Sequence, residues 1–587
     1  MPGAYDVELD GVGYMLVAGS YQRMQEGLAE GRLGRARIWD FYGGSGRAVQ
    51  QERDRFWASL GAMPTLDSQG VTAGPKREDV TVSPAQAYQP GQRSWAFATP
   101  SGVYVVNGRN IYTVAGSGNL THVVQMGTAN AVDAALVGNR IYVAFGSSAN
   151  VGALTVGANT WTADALATKK AVLIGNNAGW VTMVPASDRT VVWQMDPASP
   201  TTWSTMLLGH AALRLVNHDG ALWVVTAGSL WKLGDSQTVS GQVEGTLPLA
   251  SYSDDGVWAA SYQDGLYVWW AKRVRRFRKV DGVGLLEGWG PEGRESYGAC
   301  VAGGYLVVEV RNQYTGASEV WLWDGRGWWQ VESQSTPVWR WPVSVGGVVD
   351  SWDVLAGRGT TNNAVSVWQV VRKGSAAGLR ESWSLTTSML DAGERDVPKL
   401  WRGLGCELAW PDERAASGTV NVKLEYSVDG GVNWTQAGST FGYNPTTYGR
   451  RASMVVSLSP PIRVRYLQVR VSMWNISSWC PVLVGVWAEY ELIQVGAVRK
   501  KWRFVVQCRD KQVLRNGNVH ALSGWEQARE IWEAYEGGGA VTFKDIDYDL
   551  TGVVERVRVV GVRETVSKVE PRDGYGERQV EVTLVGV

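Results

Sequence analysis

Four histidines, His122, His210, His218 and His520, are all the imidazole that this 587-residue chain can bring to proton transfer or metal binding. No HExxH, no GxSxG and no glycine cradle followed by Lys-Ser/Thr occurs in it. His210 and His218 flank a turn, where a structural polar role outweighs a ligand role. Glycoside cleavage needs only two carboxylates, and two groups could supply them: Asp254-Asp255, ahead of a strand expected at 257–262, and Asp545, Asp547 and Asp549. The first reads as turn chemistry. The second alternates its oxygens as a calcium loop does, yet lacks the later glutamate and the flanking helices, and reads as a hairpin turn. No catalytic residue, metal ligand or cofactor-binding residue is assigned, and the chain is expected not to be an enzyme.

Aromatic side chains offer a different chemistry, because their faces stack on pyranose rings. Of 31 tryptophans, Trp269, Trp270, Trp328 and Trp329 are the expected ligand-facing set. They fall in a dense run with Trp321, Trp323, Trp339 and Trp341, most of which must be packing. Cys300, Cys406, Cys480 and Cys508 are scattered without a CxxC pair, which argues against a disulfide framework or a structural zinc. Cys406 and Cys480 fall in one module and could meet there; buried free thiols are the preferred account.

Charge says little about partners. Fifty-six Lys and Arg balance 56 Asp and Glu, so no whole-chain pull toward nucleic acid or anionic membrane arises. The most basic stretch, residues 272–279, interleaves charge with apolar residues as a half-exposed strand does. No window approaches the roughly 20 apolar residues that span a bilayer. The first ten residues lack the basic and apolar regions of a secretory signal, so a soluble protein is expected.

These side chains must be positioned by short strands. Seventy-one glycines, 31 Trp and 22 Tyr against 8 Phe favour a mainly β chain with tight turns. A glycine followed by a strand rich in Tyr, Trp and β-branched residues starts at Gly102, Gly138, Gly179, Gly220, Gly265 and Gly304, so the phrase recurs at nearly even intervals. A weaker copy follows at Gly347. Trp161, Trp203, Trp289 and Trp329 keep the same phase, the one long gap between Trp203 and Trp289 being a double period. A period of about 40 residues with a glycine turn and an aromatic per unit is what a propeller blade requires, since blades bury each face against a neighbour. About seven blades are expected over 79–374, without the repeated signatures of WD40 or kelch units.

Beyond the blades the strands lengthen. Alternating runs at 420–426 and 463–471 predict a β-sandwich over 375–498. Within it, Ser427-Val428-Asp429-Gly430-Gly431-Val432-Asn433-Trp434 resembles the Asp-box of sialidases and other β proteins. That likeness assigns Ser427, Asp429, Gly431 and Trp434 to a structural hairpin: Asp bonds backbone amides, Gly takes positive φ and Trp packs beneath. The last module, 499–587, is expected to be β-rich with one helix. Ser523 and Glu526 form its capping box, Ala528, Ile531, Trp532 and Tyr535 share a face, and glycines 537–539 stop it. Residues 1–78 are read as an assembly arm that orders against a neighbour, with a strand at 6–17 turning at Asp10-Gly11 and a short helix at 49–60 carrying Phe56 and Trp57 inward.

The sandwich phrase at 423–434, its closing strand 465–471, and the terminal stretches 541–547 and 580–587 together resemble minor tail proteins of tailed bacteriophages: tail-tip, baseplate or fibre components. The likeness covers the two modules that follow the blades and, more loosely, the propeller. It implies a virion tail protein assembled in the host cytoplasm, partnered by other tail proteins, forming a three- or sixfold homo-oligomer and contacting a host surface glycan or protein receptor through its propeller. No catalytic residue carries over from it. A lectin-like propeller on a cell surface and a glycan-cleaving propeller are the competing readings.

Overall fold

A computed structural model describes residues 5–27, 33–39, 41, 44–46, 55–65, 70–83, 88–115, 119–234, 239–247, 257–263, 265–270, 272–278, 282–285, 290–291, 293–312, 314–334, 339–345, 351–358, 365–371, 379–392, 397–410, 418–476, 479–492, 498–545, 554–569 and 576–586. The chain is mainly β and its central part is propeller-like. Seven successive sheets begin with the strands Ser94–Thr99, Asp133–Val137, Ala171–Asn177, Ala212–His218, Ala259–Tyr262, Gly293–Ala302 and Trp339–Ser344. Each first strand touches the first strand of the next sheet, and that of the seventh touches that of the first.

The glycine period lies where the first strand of a sheet turns into the second. At Ala178-Gly179, Asp219-Gly220 and Gly303-Gly304 both turn residues have positive φ, the two-residue hairpin turn whose twist matches that of the strands it joins. In the fifth sheet Gly265 already belongs to the second strand, and the positive φ falls on Gln263. The copy at Gly347 lies outside the described residues.

The described residues of 1–78 do not stand as the arm expected of them but pair with later parts of the chain. Val7–Leu9, Val12–Tyr14 and Gln22–Gly27 complete a seven-stranded C-terminal sheet with Val541–Asp545, Val554–Val569, Gly576–Gly586 and Val498–Cys508. Leu33–Trp39, Ala58–Leu60, Ala62–Pro64 and Val71–Ala73 join two sheets built chiefly from residues 382–492. Arg77–Asp79 then pairs antiparallel with Val365–Val371 as the fourth strand of the seventh propeller-like sheet, with Glu78 opposite Val367. Most of these are three-residue strands whose apolar faces are buried only by partners hundreds of positions away, so they carry no local periodicity. The helix expected at 49–60 is replaced, in its described part, by strands Arg55–Phe56 and Ala58–Leu60.

The two middle sheets share one apolar core containing Trp401, Leu404, Val422, Leu424, Val469, Val471 and Val486. That core continues into the sixth propeller-like sheet through Tyr305, Val307, Leu322, Trp329 and Val331. Polar bonds bind the same junction: the Gly61 amide donates to Gln330 O at 3.3 Å, Ser45 Oγ to Trp328 O at 3.1 Å and Tyr305 Oη to Pro64 O at 3.0 Å. In the C-terminal unit the helix Gly524–Gly537 carries the expected capping box, ends at Gly538 in the left-handed region and buries Ala528 and Ile531 on the sheet. Trp532 is half-buried, and its indole donates to Glu564 at 3.0 Å.

Candidate functional site

The Asp-box stretch forms the hairpin between Val420–Ser427 and Thr435–Tyr443. Asp429 Oδ1 accepts from the amides of Val432 at 3.1 Å and Asn433 at 3.0 Å, and Oδ2 accepts from the Asn433 side chain at 2.7 Å. Ser427 Oγ donates to Asp429 at 2.7 Å and accepts from the Gly431 amide at 2.9 Å. The Asn433 amide, then Ser427 and the Asn433 side chain, pull the Asp429 carboxyl down to about 2. Gly430 and Gly431 sit at φ of 77° and 90°, and a Cβ on Gly431 would come within 2.9 Å of the Trp57 ring. Trp434 Nε1 donates to Gly431 O at 3.0 Å, and the Arg470 guanidinium lies over the Trp434 ring at 4.3 Å. All four expected hairpin residues therefore work together.

From Arg470 a polar surface continues across the outer face of the sheet that holds this hairpin. Glu425 accepts from Arg470 Nε at 2.8 Å and from Lys423 Nζ at 2.9 Å, and its carboxyl titrates low because those two cations outweigh its desolvation. Strand register then places Lys423 opposite Ser472, Ser472 opposite Ser384 and Ser384 opposite Leu60, a straight lane over four strands. Ser382, Trp474 and Asn421 form the adjacent lane. Small side chains in the middle and long ones at the ends leave an open trough of about 310 Å³, bounded by Leu60, Arg380, Lys423 and Trp474. Arg380 is held by Glu332 of the sixth propeller-like sheet at 3.0 Å and donates to Val331 O at 2.8 Å, so the trough sits beside the junction with that sheet.

The four tryptophans expected to face a ligand do not. Trp269, Trp270, Trp328 and Trp329 are 2%, 0%, 2% and 0% exposed. Each pair is consecutive on one strand, so its members point to opposite faces. Trp270 packs with Trp223 and Phe277 on one side of the fifth sheet, and Trp269 with Trp258, Leu306 and Trp323 on the other. Likewise Trp328 meets Trp323 at 5.1 Å while Trp329 faces Phe56 at 4.7 Å. The doublets are inter-sheet packing, as strands buried on both faces require.

The remaining chemical candidates are dispersed. His122 Nε2 lies 3.3 Å from Asn110 Oδ1, His218 Nδ1 2.9 Å from Ser261 Oγ and His520 Nε2 2.8 Å from Gly13 O, while His210 is exposed. Asp254, Asp255, Asp547 and Asp549 lie outside the described residues, and Asp545 ends the strand Val541–Asp545. Among the described residues no three His, Cys, Asp or Glu side chains gather as a metal site would need. All four cysteines are free; burial pushes the thiols of Cys406 and Cys508 up to about 12, and Cys480 Sγ accepts from Trp383 Nε1 at 3.2 Å. The trough residues were missed in the sequence because their only signal, alternation of Ser and Trp with apolar residues, marks any half-exposed strand. No helix among the described residues is long and apolar enough to cross a membrane.

No family model matches this chain, and no curated protein matches its sequence. Some solved structures are weakly similar to about half of this chain. YCF48 bound to D1 peptide is 12% identical with a TM-score of 0.34, covering 53% of this chain and 98% of that one. The mitotic checkpoint complex is 12% identical at 0.34, covering 56% and 93%. The WD40 domain of Toxoplasma gondii coronin is 12% identical at 0.34, covering 56% and 90%. Likenesses at this level carry no functional argument, and the chain's own geometry has to supply it.

Proposed function

We propose that this chain is a binding and assembly protein rather than an enzyme: a structural component of a phage tail, at the tip, baseplate or fibre, that joins other tail proteins as a homo-oligomer in the virion and presents a surface to the host. In this reading the seven sheets are blades of one seven-bladed propeller and the two middle sheets are a β-sandwich fused to it. What supports the blade count is the cyclic contact of seven first strands, together with closure of the last sheet by Arg77–Asp79.

The observation that carries the proposal is the threading of the N-terminal segment. Its strands enter the C-terminal sheet, then both middle sheets, then the ring, and the chain returns through the same units in reverse order. The middle sheets share one core with the sixth propeller-like sheet, and the C-terminal sheet is built from strands of both ends of the chain, so strand pairing between distant segments interlocks the units. That suits a particle component, which must transmit contacts without its parts moving independently.

The test is mass spectrometry and antibody-labelled imaging of purified phage particles, with light scattering of the isolated protein alone and mixed with other tail proteins. Presence in the particle at fixed stoichiometry and a defined high oligomer are expected. Absence from particles, or release of sugar from host polymers at ordinary enzyme rates, would overturn the proposal.

A further inference from the structure

We infer that the trough on the outer face of the middle sheet is a binding groove for an acidic saccharide, an inference that rests on the surface-binding reading above and moves the site from the propeller to the sandwich. Three features of the groove select that ligand class.

The first is an aromatic edge beside a row of hydroxyls. Trp474 is half-exposed along a floor made by Ser382, Ser384 and Ser472. Among the described residues neither the three hydroxyls nor the Trp474 indole N–H has a hydrogen-bond partner within the protein. An indole face with free donors and acceptors matches a pyranose, which offers an apolar ring face and a rim of hydroxyls.

The second is extent. The lane from Leu60 through Ser384 and Ser472 to Lys423 crosses three inter-strand spacings, roughly 14 Å of straight trough. An extended chain of rings fits such a shape better than a compact metabolite.

The third is charge. Lys423 and Arg470 share the single carboxylate of Glu425, which leaves one positive charge in excess at that end of the trough. At the other end Arg380 is neutralised by Glu332, whose side chain is only 12% exposed and so offers little to repel an incoming anion. A carboxylate or phosphate on the saccharide would take a charge-assisted bond from Lys423, which is why acidic rather than neutral sugars are inferred.

The full-length protein would be titrated calorimetrically with a galacturonic-acid oligosaccharide, its neutral methyl ester and an oligosaccharide of phosphorylated pyranose units. The uronate or the phosphate oligomer is expected to bind at least about tenfold more tightly than the neutral ester, and whichever binds identifies the anion recognised. Lys423→Gln is expected to erase that preference, and Ser384→Trp, which fills the trough, to abolish binding. Trp474→Ala is expected to weaken binding about tenfold, while Trp525→Ala, on the remote helix, leaves it unchanged. Unaltered melting of each variant keeps these outcomes distinct from misfolding. Equal affinity for acidic and neutral oligomers, no binding of any of the three, or indifference to Lys423→Gln and Ser384→Trp would overturn the inference. Incorporation of the Lys423→Gln variant into particles, alongside any of those results, would sink the groove and leave the tail assignment standing; absence of the protein from particles would do the reverse.

Discussion

Phe56 lies against the indole of Trp329 with ring centroids 4.7 Å apart and planes inclined at 44°. Both side chains are fully buried within the core that the sixth propeller-like sheet shares with the two middle sheets.

Truncation there removes an aromatic from a site with little room to collapse. Phe56→Ala is expected to cost about 3–5 kcal/mol, read as a fall in the urea midpoint and as faster hydrogen exchange on both sides of the junction. A change confined to one side would mean that the propeller-like sheets and the middle sheets unfold independently.

Asp6 performs the analogous task for the C-terminal sheet. It is 6% exposed, accepts from the Leu16 amide at 2.6 Å and pairs with Arg515. Asp6→Ala leaves an amide and a guanidinium without that carboxylate, at an expected cost of about 1–3 kcal/mol. Limited proteolysis should show new cleavage within 498–586 while the propeller-like sheets stay resistant.

Asp429 makes the Asp-box hairpin acid-sensitive. Its folded pKa, about 2, lies below the unfolded value, so its contribution is present above about 4 and is lost as pH falls toward 2. Amide signals of Val432 and Asn433 should shift over that window in the wild type and not in Asp429→Ala. Gly431→Ala, at φ 90° and against Trp57, should distort the same turn at neutral pH.

Asp133 has the opposite sign. Its Oδ2 accepts from the Ile174 amide at 2.9 Å, tying the second sheet to the third, and burial pushes its carboxyl up to about 6 against the pull of that amide, Arg214 and Arg93. A raised folded pKa gives stability that is complete below about 4 and lost as pH rises through about 6. The melting temperature of the wild type, measured relative to Asp133→Asn, is expected to fall between those values and to level off near pH 7.

Some of this was open to reading in the sequence. The recurring glycine turns, the Ser523–Glu526 capping box and the Asp-box spacing each depend on residues close in the chain, where φ preference and local hydrogen bonds act without outside help. The tryptophan doublets were misread for a physical reason: a pair such as Trp269-Trp270 looks like an exposed aromatic patch until both faces of its sheet are known to be covered.

The sequence by itself determined a mainly β chain, the repeating hairpins of its centre and the caged turn at Asp429, because each is encoded within a few residues. Only the tertiary structure decided where the described strands of residues 5–83 belong and that Leu60, Ser384, Ser472 and Lys423 form one lane. Those relationships are strand pairings between distant segments, and register across a sheet is fixed by what its far face buries, a property no single strand carries.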